Sequence, residues 1–262
     1  MDSSLVELSR AELKEFLDGT ERRYNRPGFI SSDPVQIPHR FSEQADIEIA
    51  GFLSATLAWG RRSTIIASAE RLLSLMPGGP SAFLAMAGDD DFRAFLPFVH
   101  RTFNGIDCIY FLRALQDIYR DHGGLGRVFA AGFRKNGDLA GAVRDFRGLF
   151  FARGDPGRTA KHLADPARGS AGKRLFMFLR WMVRRDDRGV DFGLWKDIPM
   201  DALYIPLDVH TGRVARKLGL LERRQNDFKA VQELTERLRE MDPDDPVRYD
   251  FALFGLGAFE GF

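Results

Sequence analysis

A proline and an aspartate directly precede a helical pattern in the stretch Ile205-Pro206-Leu207-Asp208-Val209-His210-Thr211-Gly212-Arg213-Val214-Ala215-Arg216-Lys217-Leu218-Gly219-Leu220. Proline fixes its own φ angle and disfavours helical geometry in the residue before it, so the chain should arrive in extended form. Asp208 is a favoured N-cap residue, and Val214, Leu218 and Leu221 then recur at helical spacing. The stretch therefore predicts an extended segment that enters a helix at Asp208, with arginines along that helix.

Composition limits the classes of protein to which the chain can belong. Its 262 residues are 44% hydrophobic, enough for one large domain or two lobes with a filled core. Cys108 is the single cysteine, which excludes disulfide frameworks and cysteine-based zinc or iron–sulfur sites within one chain. The five histidines lack metal-ligand spacing, so we expect neither a metal nor another cofactor. With no membrane-length apolar run and no signal-peptide pattern, we expect a cytoplasmic protein with no membrane partner.

The hydrophobic pattern is helical along nearly the whole chain. Apolar residues recur at helical spacing, and no convincing alternating strand or internal repeat interrupts them. The pattern predicts an all-α protein.

Charge is distributed unevenly although the formal net charge is only +1. Residues 158–185 carry eight Lys or Arg against Asp165 alone, and residues 208–224 carry five basic residues against Asp208 and Glu222. Such stretches commonly form solvated faces, but two of them around one candidate site are typical of a phosphate-binding surface.

Four strings together resemble helix-hairpin-helix DNA glycosylases of the endonuclease III superfamily. They are Ala50-Gly51-Phe52-Leu53-Ser54-Ala55-Thr56-Leu57-Ala58-Trp59, Gly169-Ser170-Ala171-Gly172-Lys173-Arg174-Leu175, Asp208-Val209-His210 and Tyr249-Asp250-Phe251-Ala252-Leu253-Phe254-Gly255-Leu256-Gly257. The altered hairpin and the long spacer before Asp208 are closest in pattern to the archaeal 8-oxoguanine glycosylase branch. The chain also resembles an uncharacterised bacterial domain-of-unknown-function family, through strings such as Phe98-Val99-His100-Arg101-Thr102-Phe103-Asn104-Gly105.

The glycosylase resemblance implies a two-lobed helix-hairpin-helix fold with a central cleft between the lobes. Residues 46–205 would form a central helical bundle with a hairpin-like element near 166–175. Residues 1–45 and 206–262 would form a second helical lobe that carries the Asp208 helix.

The same resemblance implies the chemistry of base excision, with Lys173 and Asp208 as catalytic residues. An amine can attack the sugar C1′ only when it is neutral, and burial beside Arg174 would favour that form. A carboxylate at a helix start can stabilise the positive charge that develops at C1′. The resemblance thus implies a monomeric DNA repair glycosylase and AP lyase that acts on damaged duplex DNA through a lysine Schiff base. An oxidised purine is the candidate target base.

Further residues complete the predicted nucleic-acid interface and base pocket, since the target base must leave the stack. The expected nucleic-acid contacts are Gly169, Ser170, Gly172, Arg174, Arg180, Arg184, His210, Arg213 and Arg216. The candidate pocket residues are Thr56, Trp59, His100, Arg101 and Trp181.

Each of these residues also has a purely structural interpretation. Asp208 could serve only as an N-cap, and Lys173 could be a solvated lysine in a first helical turn. His210 could bond to the backbone, His100 could link to Asn104 or Asp107, and the tryptophans could belong to the core. A non-catalytic DNA- or RNA-binding protein on the same scaffold, or a protein-interaction module, therefore stays open as an alternative.

Overall fold

The computed structural model describes residues 8–262 and confirms the predicted all-α class. The α-helices are α1 (Arg10–Tyr24), α2 (Pro27–Ile30), α3 (Gln44–Leu57), α4 (Arg62–Leu73), α5 (Pro80–Met86), α6 (Gly105–His122), α7 (Leu125–Asn136), α8 (Leu139–Phe150), α9 (Lys173–Val183), α10 (Val209–Lys217), α11 (Phe228–Arg239) and α12 (Asp250–Phe259). Short 3₁₀ helices lie at Pro34–Gln36, Pro38–Arg40, Asp91–Phe95, Gly157–His162, Pro166–Arg168, Met200–Ala202 and Pro246–Tyr249. Residues 1–7 of the predicted second lobe lie outside the described residues.

Side-chain caps fix the start of several helices. The side chains of Ser9, Asn104, Asp138, Asp208 and Asp227 each accept a hydrogen bond from a backbone N–H in the first turn of α1, α6, α8, α10 and α11 respectively. These bonds satisfy N–H groups that have no partner within the helix. The extended φ of −115° at Asp208 agrees with the entry that the proline-containing stretch predicts.

A two-stranded antiparallel hairpin precedes α6 and was not predicted from the sequence. Its strands are β1 (Val99–His100) and β2 (Phe103–Asn104), with His100 paired to Phe103. Arg101 in the connecting turn has a φ of 54°, and among residues 8–262 it is the one non-glycine residue with positive φ. Two residues per strand are too few to show an alternating pattern.

Two compact units make up the fold. One contains the chain up to Phe29 together with Asp165–Phe262, and the other contains Ile30–Ala164. These bounds differ from those of the predicted lobes, because segments 30–45 and 165–205 each belong to the opposite unit. The ring of Phe176 in α9 packs 5.3 Å from that of Tyr204 and 6.0 Å from that of Phe228, which places α9 with the C-terminal helices.

Aromatic packing fills the unit that contains Ile30–Ala164. Phe52 of α3 lies 6.0 Å from Phe111 of α6, 5.7 Å from Phe146 and 5.6 Å from Phe150 of α8, measured between ring centroids. All four side chains are almost fully buried. Burial of such large apolar surfaces is the main stabilising contribution in this unit.

Close helix packing organises the other unit around α12. At Gly257 a Cβ atom would come within 2.9 Å of the Cβ of His210 in α10, so only glycine permits this approach. The packing brings the first turn of α10, which follows Asp208, against α12.

Within residues 8–262, no helix combines the length and the apolar character that crossing a membrane requires.

Candidate active site

Lys173 and Asp208 face one another in the unit formed by the chain termini. Lys173 is the first residue of α9 and Asp208 is the N-cap of α10, and their Nζ and Oδ2 atoms lie 4.0 Å apart. Their side chains are 25% and 21% exposed, so both are half-buried and reachable from solvent. The Lys173 amine also lies 3.4 Å from the sulfur of Met177, one turn along α9. The two predicted catalytic residues therefore share one site.

The two oxygens of the Asp208 carboxylate have different neighbours: one caps a helix and the other faces Lys173. Oδ1 accepts a 2.9 Å hydrogen bond from the N–H of Thr211, which caps α10. Oδ2 is the atom nearest the Lys173 amine. The Asp208 carbonyl oxygen accepts from the side chain of Asn226 at 3.1 Å, which ties the cap to the loop before α11. Because these bonds hold the main chain and Oδ1 of Asp208, its second carboxylate oxygen, Oδ2, points in a fixed direction.

The segment before Lys173 is built on two glycines with positive φ. Gly169 (φ 90°) ends the Pro166–Arg168 turn, and Gly172 (φ 61°) is the N-cap of α9. The Gly169 carbonyl accepts a 3.0 Å hydrogen bond from the N–H of Phe228, and Ser170 forms a bridge with Asp227. The hairpin-like element expected near 166–175 is thus a 3₁₀ turn followed by α9, anchored to the start of α11.

The structure contradicts the expectation that Arg180 and Arg184 belong to a basic surface. Their side chains are 4% and 2% exposed. Arg180 pairs with Asp191 and Asp250, and Arg184 lies 2.8 Å from Asp186, with further pairs to Asp191 and Asp245. Because a buried guanidinium requires a compensating charge, these arginines have become structural ion pairs and cannot contact phosphate.

Among the other predicted nucleic-acid contacts, Arg213 lies in the middle of α10 and Arg216 in its last turn. Arg213 donates to the Gly257 carbonyl at 2.9 Å, and Arg216 donates to the Arg223 carbonyl at 2.8 Å and to Asn226 at 2.6 Å. These partners are neutral oxygens, so the contacts leave the positive charge of both guanidinium groups in place. His210 Nδ1 lies 3.1 Å from the Gly257 carbonyl, which agrees with its backbone-bonding interpretation. Burial lowers the pKa of Arg174 to about 10.

Four of the candidate pocket residues lie in the unit that contains Ile30–Ala164, and Trp181 lies in the other unit. Trp181 lies in α9 and is fully buried, so it belongs to the core and offers no surface for stacking a base. His100 is also buried, and its Nδ1 lies 2.9 Å from Ser68 Oγ instead of near Asn104 or Asp107. Burial lowers the pKa of His100. Its ring meets that of Trp59 edge-on at 4.9 Å, and Arg101 is exposed beside Gly60. Thr56 is buried within α3.

A match to one protein family covers most of the chain. A family described as "Protein of unknown function (DUF2400)" matches residues 33–259. The chain belongs to this family. The match includes Lys173 and Asp208, and it confirms the expected membership of a domain-of-unknown-function family. The comparisons found no match among curated proteins or solved structures.

The sequence of this DUF2400 protein did not single out Asp250, which belongs to the buried ion pairs around Arg180 and Arg184. Asp250 is the first residue of α12, and its side chain is only 8% exposed. Burial, together with the nearby charges of Asp208 and Asp191, raises its pKa to about 6 despite the opposing charges of Arg180 and Lys173. The sequence predicts a core helix at the Tyr249-Asp250-Phe251 string, and the acid within this apolar string is the available signal.

Proposed function

We propose that this protein is a DNA glycosylase with AP-lyase activity, in which Lys173 is the nucleophile and Asp208 assists it. The observation that carries the proposal is the 4.0 Å approach of the Lys173 amine to the Asp208 carboxylate at two helix starts. The damaged base is the substrate class, with an oxidised purine as the leading candidate from the sequence pattern. Both side chains are partly exposed, as attack on an external sugar requires.

In the proposed reaction, the neutral Lys173 amine attacks C1′ of the target nucleotide. The C1′–N bond breaks, and the base departs with the bonding electron pair and takes up a proton. The nitrogen now bonded to C1′ loses a proton, and the sugar ring opens as O4′ takes up a proton, which gives a protonated Schiff base between Lys173 and C1′. Removal of a C2′ proton expels the 3′ phosphate by β-elimination, and water releases Lys173.

Asp208 would contribute through its fixed charge. As the C1′–N bond breaks, positive charge develops at the sugar, and a preoriented carboxylate stabilises it without having to reorganise. The Thr211 and Asn226 contacts supply that orientation. Before the attack, the same carboxylate can accept a proton from the Lys173 ammonium, and it regains its negative charge once that proton has passed to the departing base.

Phosphate contacts in this proposal come from Arg213 and Arg216, since Arg180 and Arg184 are neutralised inside the unit. Arg213 and Arg216 belong to the helix that Asp208 caps. A phosphate bound by these two side chains would lie beside α10, the helix whose N-cap residue faces the Lys173 amine.

Borohydride trapping tests the proposal. Incubation with duplex oligonucleotides carrying an abasic site or an oxidised purine should yield a covalent protein–DNA adduct. Lys173→Ala should abolish the adduct, whereas Lys229→Ala, which removes a lysine from the first turn of α11, should leave it unchanged. An adduct that persists in Lys173→Ala would remove Lys173 from the mechanism.

The uncompensated charges of Arg213 and Arg216 equally support non-catalytic DNA or RNA binding. Salt-dependent binding without trapping on any tested lesion would favour that function. Absence of binding at low salt would contradict both nucleic-acid functions and favour a protein-interaction module.

A further inference from the structure

The turn of the β1–β2 hairpin holds an arginine in a backbone conformation that favours glycine. Arg101 has a φ of 54°, which no other non-glycine residue among residues 8–262 matches in sign. Side chains at such an angle crowd the backbone, so glycine, asparagine or aspartate usually occupies these positions. Strained conformations of this kind are concentrated at functional sites. The use of arginine at this turn therefore indicates a role for its side chain.

Internal contacts do not supply that role. The Arg101 side chain is exposed, and it forms no ion pair or hydrogen bond with the described part of the chain. It lies along the backbone of Gly60, where a Cβ atom would come within 2.9 Å of Arg101 Nη1 and 3.4 Å of its Cδ. Gly60 thus leaves the space in which the guanidinium group lies, and the charge of that group stays uncompensated.

Arg61 adds a second uncompensated charge beside Arg101. It follows Gly60 directly in the chain, so its backbone lies next to the Arg101 side chain. Arg61 is exposed, and within residues 8–262 it forms no ion pair. Two like charges at neighbouring positions raise the local positive potential, which attracts anions. The pair therefore favours an anionic ligand from outside the chain.

Two further arginines are bound to the backbone of the same hairpin. Arg71 donates to the Val99 carbonyl at 2.6 Å, and Arg158 donates to the Thr102 carbonyl at 2.8 Å. A carbonyl oxygen is neutral, so these bonds fix both guanidinium groups without cancelling their charge. Arg158 also lies 3.3 Å from the buried Asp107, whose carboxylate offsets part of the positive charge. Positive charge thus exceeds negative charge around the turn.

We propose that Arg101 and Arg61 bind a phosphate group at this turn. Arg71 and Arg158 add positive charge from the hairpin backbone. Guanidinium groups bind phosphate through parallel pairs of hydrogen bonds, which makes arginine well suited to this anion. Trp59, two residues before Arg61, is half-buried, and an aromatic ring beside arginines is typical of sites for nucleotides and nucleic-acid strands.

This phosphate site is separate from the chemistry proposed for Lys173. All its residues lie in the unit that contains Ile30–Ala164, whereas Lys173 lies in the other unit. Binding at the site requires neither a damaged base nor a Schiff base. The phosphate belongs either to a nucleic-acid strand or to a small nucleotide, and the choice of probe distinguishes these two sources.

NMR of arginine side chains tests the site, with inorganic phosphate as the first probe. The ¹H–¹⁵N side-chain signals are assigned from the spectra of Arg101→Lys and Arg61→Lys. Phosphate added at constant ionic strength should shift both signals along a saturating curve. The signal of Arg134, an exposed arginine of α7, should stay in place. Absence of a saturating shift, or an equal shift of the Arg134 signal, would overturn the proposal.

Two further probes identify the source of the phosphate. Adenosine monophosphate and a short undamaged DNA duplex are each titrated under the same conditions. Saturation of the Arg101 signal at a lower concentration of duplex than of nucleotide would assign a nucleic-acid strand. The reverse order would assign a small nucleotide, and either order supports a phosphate site.

Arg101→Gly separates the charge of the side chain from folding. Glycine accepts a positive φ, so the midpoint of urea unfolding should not fall. Affinity for the better of the two probes should nevertheless fall about tenfold at low salt, since one phosphate contact is lost. Arg134→Gln removes the same charge from the same unit and should leave the affinity unchanged, whereas Arg101→Lys should keep most of it.

Two outcomes of the variant series would overturn the proposal. One is wild-type affinity in Arg101→Gly, and the other is an equal loss of affinity in Arg101→Gly and Arg134→Gln. Because no probe carries a damaged base, these measurements do not depend on Lys173. A negative trapping result would therefore defeat the proposed function and leave the phosphate site standing, and wild-type affinity in Arg101→Gly would remove the site without affecting Lys173.

Discussion

The ring of Tyr24 in α1 covers Gly255 of α12, and a methyl group at Gly255 would overlap that ring. Tyr24 also stacks on Phe259 one turn further along α12, with ring centroids 5.5 Å apart and planes 12° from parallel. Glycine at position 255 is therefore what allows α1 to approach α12, the helix in which Asp250 pairs with Arg180 of α9.

Gly255→Ala should destabilise the protein by about 1–3 kcal/mol, because the added methyl group must displace the Tyr24 ring. Urea denaturation followed by circular dichroism measures this change. Gly19→Ala in α1 is the control, since no atom lies within 4 Å of a Cβ there. It should stabilise the protein by up to about 1 kcal/mol through helix propensity, and equal effects of the two variants would contradict the packing argument.

Asp208→Asn should separate capping from chemistry. Asparagine caps helices about as well as aspartate, so the midpoint of urea unfolding should change little. If the proposed function holds, base removal should slow by about two orders of magnitude or more, since the charge that opposes the developing cation is gone. Asp138→Asn, which alters the cap of α8 away from Lys173, should change neither quantity. Full activity in Asp208→Asn would reduce Asp208 to a cap.

Asp107→Ala should cost about 3 kcal/mol of stability, because the substitution breaks a buried polar cluster. The fully buried Asp107 carboxylate accepts from Thr159 Oγ1 at 2.8 Å and from the Asn104 N–H at 3.0 Å, and lies 3.3 Å from Arg158 and from His162. Denaturant unfolding provides the test. Asp121→Asn, which removes an exposed carboxylate, should leave the unfolding midpoint where it is.

The stability conferred by Asp250 should fall as the pH rises. Its folded-state pKa of about 6 lies above the ordinary value of 3.8, so the folded protein binds more protons than the unfolded chain between these values. The contribution is complete below about pH 4 and is lost as the pH passes through about 6. The stability of the wild type minus that of Asp250→Asn should therefore decrease by about 1–3 kcal/mol between pH 4 and pH 7. Urea titrations measure this stability difference at each pH. A difference that stays constant or increases from pH 4 to pH 7 would contradict the expected direction.

Local sequence was sufficient for the all-α class and for the helix start at Asp208. Asp208 follows a proline-containing extended stretch and precedes a helical pattern, and these are short-range features that the chain obeys wherever it packs. Lys173 was proposed through the resemblance to glycosylases that place a lysine after a glycine-bearing hairpin, and the structure gives positive φ angles to Gly169 and Gly172 before it. The distance between Lys173 and Asp208 needed the three-dimensional structure.

Tertiary structure decided which charges are buried. Arg180 and Arg213 look equivalent in the sequence, each an arginine on an amphipathic helix near a predicted catalytic residue. The charge of buried Arg180 is compensated because Asp191, 11 residues later, and Asp250, 70 residues later, converge on it. Arg213 instead bonds to a backbone carbonyl and lies on the exposed side of α10. Helix periodicity and caps depend on neighbours within about one turn, so the sequence displays them directly. The compensation of a buried charge depends on groups brought together by folding, which no single stretch of sequence contains.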